Sequence, residues 1–262
     1  MSLDPDRRDT LRHNIQARVG GFFCNTRREA GLTCQVCTGP ATASLCGRCA
    51  TQRRTYGDRL ADRVLTLTYV RGRMPSNHQS VYTVFAYKNL THPVGKCLTD
   101  LGLMIKAATA LHGDCIAREA GGPWTVVTFV PSAARPGLSH PVSQFVHYVA
   151  GASRPETVVL DLGPSAAIAD RQVLPDRFAV PDHAHATIVG QHVLILDDTW
   201  TSGAKAQSAA LAVRAAGADQ ITILCVARWC RYDLDDHRAL LDTCTEPYDP
   251  AVCPVGSTAC RM

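Results

Sequence analysis

Two long apolar runs near the carboxyl end constrain the fold of this chain more than any other feature. The run at 192–197 reads His-Val-Leu-Ile-Leu-Asp, and the run at 221–227 is equally apolar. Because both faces of each run are apolar, each predicts a strand that is buried on both sides, as in parallel sheets. A helix-like segment at 204–216, ending at Gly217, lies between them and supplies the crossover connection. The sequence therefore predicts an α/β fold.

Earlier segments continue this alternation of strand and helix patterns. The further predicted elements are a helix at 98–112, a strand at 125–130, a helix at 142–150 and a strand at 157–160. Ahead of this parallel sheet flanked by helices, residues 64–70 and 80–87 have the composition of strands. They predict a separate small sheet, or hood.

Cysteine spacing predicts a zinc site near the amino terminus. The chain has twelve cysteines, ten of them within 24–49 and 225–260, and such density in a reducing compartment favours metal over disulfides. Two CxxC turns, each placing two thiolates on one side of a tight loop, can close a tetrahedron around Zn²⁺. The four predicted ligands of this small amino-terminal zinc knuckle are Cys34, Cys37, Cys46 and Cys49. A site closed by four protein ligands is structural.

The carboxyl-terminal tail carries a second group of cysteines among Pro and Gly residues. Four thiols in a tail with little apolar content could bind a second zinc ion and so fix the tail. Their spacings are long and contain no CxxC pair, so four unconnected thiols remain the alternative. The residues concerned are Cys230, Cys244, Cys253 and Cys260.

Charge is distributed unevenly along the chain. Residues 1–75 carry 13 Lys or Arg against 6 Asp or Glu, whereas residues 76–262 carry 14 against 17. The basic front favours weak nucleic-acid binding or, more simply, a solvated Arg-rich surface, since no aromatic residues interleave the arginines. With a polar amino terminus and no apolar run of membrane-spanning length, we expect a cytoplasmic protein without membrane association.

These patterns divide the chain into three predicted regions. Residues 1–63 form the basic amino-terminal segment with the zinc knuckle, residues 64–228 form the α/β domain, and residues 229–262 form the Cys-rich tail.

The most informative segment for function is 193–205, Val-Leu-Ile-Leu-Asp-Asp-Thr-Trp-Thr-Ser-Gly-Ala-Lys. A strand ends in the carboxylates of Asp197 and Asp198, passes through a small hydroxyl-rich loop and enters a helix. Backbone N–H groups at the helix start, with the loop hydroxyls, favour a phosphate monoester. Carboxylates beside a phosphate site would repel the ligand unless they serve another part of it, such as ribose hydroxyls or a bound Mg²⁺.

This segment resembles the binding motif for phosphoribosyl pyrophosphate (PRPP) in type I phosphoribosyltransferases. The resemblance implies that Asp197 and Asp198 contact the ribose hydroxyls and that the loop holds the 5′-phosphate. The loop residues concerned are Thr199, Thr201, Ser202, Gly203, Ala204 and Lys205. Lys205 stands where the family usually has a Thr.

A double-CxxC knuckle joined to such a domain resembles the ComF-like family of amidophosphoribosyltransferase-related proteins. The family's short segment after the knuckle is matched by Ala-Tyr-Lys-Asn at 86–89, and its Val-Pro strand end is matched at 128–132. The stretch at 171–180 resembles the family's approach to the PRPP strand, so the likeness covers roughly residues 34–228. The family's Arg-Gly-Phe-Asn-Gln segment has no counterpart at 135–144.

Two functions follow from the resemblance. The first is an enzyme that transfers the phosphoribosyl group of PRPP, with Mg²⁺, to a small-molecule acceptor and releases pyrophosphate. Lys88, Ser132 and Arg135 are the candidates for holding the leaving group, with Lys88, Asp197 and Asp198 as catalytic residues. The second is a non-catalytic ComF-like protein that binds PRPP, single-stranded DNA or both during DNA uptake. A homodimer is compatible with either.

Overall fold

A five-stranded sheet, parallel throughout, forms the centre of the described chain. Its strand order is β1 (Arg63–Gly72), β7 (Gln220–Arg231), β6 (His192–Trp200), β2 (Val126–Phe129) and β3 (Glu156–Thr157). A separate antiparallel pair consists of β4 (Asp161–Leu162) and β5 (Phe178–Ala179). The computed structural model describes residues 4–89, 91–151, 154–168 and 171–256. The predicted α/β class, a parallel sheet flanked by helices, is confirmed.

The α-helices of the described residues surround this sheet. They are α1 (Pro5–Val19), α2 (Gly47–Tyr56), α3 (Gln79–Ala86), α4 (Gly95–Ala120), α5 (His185–Ile188), α6 (Ala204–Ala215) and α7 (Asp235–Asp242). Short 3-10 helices occur at Gly57–Arg59, Gly137–Ser139, Pro141–Tyr148 and Asp182–Ala184. Within the described ranges, no helix has both the length and the apolar character needed to cross a membrane.

The central strand β6 is buried on both faces, as its apolar sequence predicts. Leu194 and Leu196 pack into one core with the long helix α4, whereas Val193 and Ile195 pack into a second core with α6. Alternate residues of a strand point to opposite faces, so a run with no polar position needs cover on both sides. The helices on the two faces supply that cover.

The predicted hood is wrong. Residues 64–70 belong to β1, which pairs in parallel with β7 at one edge of the main sheet. Residues 80–87 fall mostly in the helix α3, although Val81, Thr83 and Val84 suggested a strand. The buried positions include Ser80, Thr83 and Val84, which share one face at a helical spacing of three and four residues, and this burial outweighs the β-branched composition.

Two predicted elements are present in altered form. The segment 142–150 was expected as an α-helix and is a 3-10 helix over Pro141–Tyr148. The strand expected at 157–160 reduces to Glu156–Thr157, after which the N–H of Val158 still donates to the carbonyl of Val127 at 3.0 Å. Neither change alters the order of the central strands.

The parallel topology brings the ends of four strands to one edge of the sheet. The chain leaves β1, β7, β6 and β2 at this edge, because all four strands run in the same direction. In open α/β sheets the carboxyl ends of the strands border the crevice in which ligands bind. The chain segments that leave these strands line a large crevice.

Candidate functional site

A crevice of about 1380 Å³ opens at the carboxyl ends of the strands. This volume exceeds the roughly 300–1,000 Å³ of a typical small-molecule site, so the crevice has room for more than one ligand group. Among the described lining residues, seven Lys or Arg side chains face three Asp side chains. The excess of positive charge favours a ligand with several negative charges.

Nearly all the catalytic and PRPP-binding residues predicted from the sequence line this crevice. Their set is Lys88, Ser132, Asp197, Asp198, Thr199, Thr201, Ser202, Gly203, Ala204 and Lys205. Arg135 is the exception, because its guanidinium is engaged outside the lining and donates to the backbone carbonyl of Lys88 at 2.9 Å. Arg135 therefore positions the Lys88 backbone.

The acidic pair lies near the carboxyl end of β6, two residues before its last residue, and its two carboxylates are in different electrostatic states. Asp198 is buried and forms an ion pair with the ammonium group of Lys88. Burial opposes the charge of Asp198, but the Lys88 ammonium outweighs it and leaves the pKa of Asp198 below its usual value. Burial, together with the charge of Asp198, holds the pKa of Asp197 well above its usual value. Of the two carboxyl groups, Asp198 is therefore the ionised one, and Asp197 is protonated more readily than Asp198.

The loop after β6 turns sharply at Gly203. This glycine has a φ of 71°, in the left-handed region, and it precedes the first residue of α6. A Cβ built on Gly203 would lie 2.0 Å from the ring of Trp200, which is itself buried. Glycine is therefore required both by the backbone conformation and by the close approach of the indole.

Polar groups of the loop face the crevice around this turn. The N–H of Ala204 donates to the Ser202 hydroxyl at 3.3 Å, and the exposed Lys205 follows in the first turn of α6. The buried hydroxyl oxygen of Thr199 has no hydrogen-bond partner among the described residues. A buried hydroxyl without a protein partner can form its hydrogen bond with a bound ligand or water. The helix start offers the N–H groups and positive end that attract an anion.

The four cysteines of the predicted knuckle do form one cluster. The sulfur atoms of Cys34, Cys37, Cys46 and Cys49 all lie within 4.8 Å of one another, and Cys37 Sγ is 3.8 Å from Cys46 Sγ. Tetrahedral zinc with bonds of about 2.3 Å to sulfur separates its ligands by about 3.8 Å. The donor set and its spacing therefore fit a metal such as zinc.

The knuckle packs against the loop that follows β6 and is therefore part of the α/β domain's crevice. The side chain of Gln52, on the same helix α2 as Cys49, donates to the carbonyl of Ser202 at 3.1 Å. Cys37, Cys46 and Cys49 belong to the lining of the crevice. A metal in the cluster would consequently brace one wall of the site.

Sequence reasoning missed the residue that joins the loop to the knuckle, Arg228. This buried side chain at the end of β7 donates to the carbonyls of Trp200 at 3.2 Å, Thr201 at 3.1 Å and Trp229 at 2.6 Å. On its other side it packs so closely on Gly39 of the knuckle that a Cβ there would lie 2.3 Å from the guanidinium. The only signal in the sequence is an arginine directly after an apolar strand.

His140 is a second lining residue that the sequence analysis did not select. Burial, the largest influence, lowers the pKa of His140 to about 4, even though the charge of Asp198 acts in the opposite direction. The imidazole is therefore neutral at neutral pH, and its Nδ1 accepts from the N–H of Val142 at 3.3 Å. A neutral imidazole beside the acidic pair adds a hydrogen-bonding group to the wall of the crevice.

The tail cysteines do not come together as predicted. Cys230 and Cys244 pack in a cluster with Cys24, whereas Cys253 lies beside His112 and Cys115. Cys230, Cys244 and Cys253 therefore do not form the single zinc site expected for the tail set, because Cys253 lies against α4 whereas the other two thiols pack with Cys24. Cys260, the fourth residue of that set, lies outside the described residues.

Zinc content tests the knuckle cluster. We expect Cys34→Ser to lower the bound zinc by one equivalent per chain, because three thiolates and a hydroxyl hold Zn²⁺ far less tightly than four thiolates. Native mass spectrometry measures the change, with Cys97→Ser as the control because this buried cysteine belongs to neither cysteine cluster that could hold a metal. Unchanged zinc in Cys34→Ser would rule out the cluster as the ligand set.

Comparison with known proteins gives little further guidance. A solved structure, the phosphoribosyltransferase from Corynebacterium diphtheriae, is similar at 19% sequence identity and a TM-score of 0.30, over 53% of this chain and 81% of that chain. No protein-family model matches, and no curated protein matches significantly. At this degree of similarity, the functional assignment depends on the geometry of the crevice.

Proposed function

We propose that this protein binds PRPP in the crevice and transfers its phosphoribosyl group to an acceptor, with release of pyrophosphate. One observation carries the proposal: a carboxylate pair and an anion-binding helix start stand side by side at the end of β6, within a crevice of positive charge. A ligand that combines a diol with a phosphate monoester and a pyrophosphate satisfies all three features.

The two carboxylates suit the ribose diol because their protonation states differ. The ionised Asp198 accepts hydrogen bonds from hydroxyls, and Asp197, whose pKa is raised, can accept or donate. The 5′-phosphate then binds the backbone N–H groups of the loop at Ser202, Gly203 and Ala204. The side chain of Lys205, exposed at the first turn of α6, lies on the same wall of the crevice.

The transfer is a substitution at the anomeric carbon of the ribose. The acceptor forms a bond to this carbon while the bond to the pyrophosphate oxygen breaks, and pyrophosphate leaves with the electron pair. The ionised Asp198 carboxylate is an oxygen ligand of the class that Mg²⁺ prefers, and Mg²⁺ arriving with PRPP would offset the charge of the leaving group. In this proposal the Lys88 ammonium and the turn at Ser132, both of which line the crevice, bind the pyrophosphate.

Substitution of the acidic pair tests the ribose contact. We expect Asp198→Asn to weaken PRPP binding by roughly 10- to 150-fold, since a hydrogen bond to a charged group contributes about 1.5–3 kcal/mol and each 1.4 kcal/mol is tenfold. Asp197→Asn should have the smaller effect, because the raised pKa of Asp197 already favours the neutral form. Titration calorimetry with PRPP and Mg²⁺ measures both variants.

The matched control is Asp161→Asn, which changes an exposed carboxylate on β4 outside the crevice and should leave the affinity unchanged. An Asp198→Asn variant that is folded and binds PRPP as tightly as the wild type would remove Asp198 from the ligand contacts.

Pyrophosphate release separates catalysis from binding alone. An enzyme should release pyrophosphate from PRPP when nucleophilic acceptors are supplied in turn, and the release should fall in Asp198→Asn. A ComF-like binding protein would bind PRPP and release none with any acceptor of the panel.

A further inference from the structure

A second group of side chains that could bind a metal combines two residues of α4 with one residue of the tail. His112 and Cys115 of α4 meet Cys253 of the tail, with one ligand atom of each within 4.8 Å of the others. His112 is 4% exposed and Cys115 is 6% exposed, while Cys253 is half-buried. The sulfur atoms of the knuckle cluster lie equally close to one another.

The helix places two of these ligands on one face. His112 and Cys115 are three residues apart in α4, and residues at this spacing are neighbours on a helix surface. A pair of ligands at this spacing needs no change of backbone to converge on one ion. The third ligand must come from another part of the chain.

The tail supplies that ligand along a path fixed by hydrogen bonds. The N–H of Tyr248 donates to the carbonyl of Phe23 at 2.9 Å, and Asn25 and Asp249 exchange two hydrogen bonds of 2.9 and 2.8 Å. Further along, Arg28 Nε donates to the carbonyl of Pro254 at 2.9 Å. These contacts on both sides of Cys253 hold a segment that has no helix or strand of its own.

The hydrogen bond of His112 fixes which of its ring nitrogens carries the proton. Its Nε2 lies 2.9 Å from the carbonyl oxygen of Pro250. A carbonyl oxygen only accepts, so Nε2 carries the proton and Nδ1 keeps the lone pair. Metal-binding histidines commonly donate their second N–H to a backbone carbonyl, which fixes the tautomer and the ring orientation.

We propose that His112, Cys115 and Cys253 bind a second zinc ion, which fastens the tail to α4. Imidazole and thiolate are the ligands that Zn²⁺ takes in proteins, and a buried nitrogen and sulfur set does not suit Mg²⁺ or Ca²⁺. Two thiolates and a neutral imidazole balance the charge of Zn²⁺, which favours its burial. Binding releases the two thiol protons, and the fourth position is taken by water or by another ligand of the chain.

Metal counting by native mass spectrometry tests this site in the full chain, purified under reducing conditions without chelators. We expect two zinc ions in the wild type, one in Cys115→Ser, one in Cys34→Ser and none in the double variant. Cys97→Ser changes a buried cysteine of the same helix that belongs to neither cluster, and it should keep two. A Cys115→Ser variant that holds as much zinc as the wild type would overturn the proposal.

Two further measurements cover the case in which Cys115→Ser does not fold. His112→Gln removes the metal ligand while its amide can still donate to the Pro250 carbonyl, and it should also lose one zinc. X-ray absorption at the zinc edge of the wild type should show imidazole scattering beside sulfur. A zinc shell of sulfur alone, or a Cys115–Cys253 disulfide with one zinc per chain, would contradict the second site.

Discussion

Replacing Gly203 by alanine should abolish tight PRPP binding, because the added Cβ cannot coexist with the observed loop. The position has a φ of 71°, which costs a residue other than glycine about 1–2 kcal/mol. The same Cβ would meet the ring of the buried Trp200 at 2.0 Å, so the indole or the loop would have to shift. The loop must move, and the N–H groups that face the phosphate move with it.

The size of the loss follows from the contacts that the loop makes. Losing two hydrogen bonds to a charged phosphate, at about 1.5–3 kcal/mol each, weakens binding by roughly 100-fold or more. Titration calorimetry with PRPP measures the affinity, and thermal unfolding measures the accompanying loss of stability.

Gly190→Ala provides the control for backbone strain. Gly190 also has a positive φ, of 72°, but a Cβ there meets nothing within 4 Å and the residue does not line the crevice. This variant should lose about 1–2 kcal/mol of stability and keep its PRPP affinity. Wild-type affinity in Gly203→Ala would show that the loop does not hold the phosphate.

Arg228→Met should destabilise the protein and weaken PRPP binding together. The substitution leaves the carbonyls of Trp200, Thr201 and Trp229 without the donor that now serves them. Buried polar groups without partners cost about 1–3 kcal/mol each, so we expect a loss of about 2–5 kcal/mol in the free energy of unfolding. Chemical denaturation measures this loss.

Arg238→Met is the matched control for Arg228→Met. Arg238 is an exposed residue of α7 that pairs with Asp235 and does not line the crevice. Exposed ion pairs contribute about 0–1 kcal/mol, so stability and affinity should stay near the wild-type values. If Arg228→Met were as stable as Arg238→Met and bound PRPP normally, Arg228 would not support the loop.

Local patterns predicted the sheet and the crevice well. The strand, acidic pair, loop and helix of 193–205 are consecutive in sequence, so their juxtaposition follows from the geometry of a strand that turns into a helix. The two CxxC turns likewise carry their spacing in the sequence, and the four sulfurs meet. The α3 region differs from its prediction because β-branched residues favour a strand, whereas the buried positions follow a helical spacing.

Contacts between distant segments could not be predicted from one sequence. Arg228 donates hydrogen bonds to backbone carbonyls some 28 residues earlier in the chain, and it packs on Gly39 of the knuckle. Cys253 finds its partners on α4 because hydrogen bonds between the tail and Phe23, Asn25 and Arg28 direct the tail there. The spacing of cysteines within the tail carries no information about these partners.

A crystal structure of the protein with PRPP and Mg²⁺ tests the central claim most directly. The account predicts the 5′-phosphate oxygens within about 2.7–3.2 Å of the loop N–H groups at Ser202–Ala204, with the ribose hydroxyls against Asp197 and Asp198. The pyrophosphate should lie toward Lys88 and Ser132. A ligand whose pyrophosphate occupies the loop, or a crevice that stays without PRPP at saturating concentration, would contradict the account.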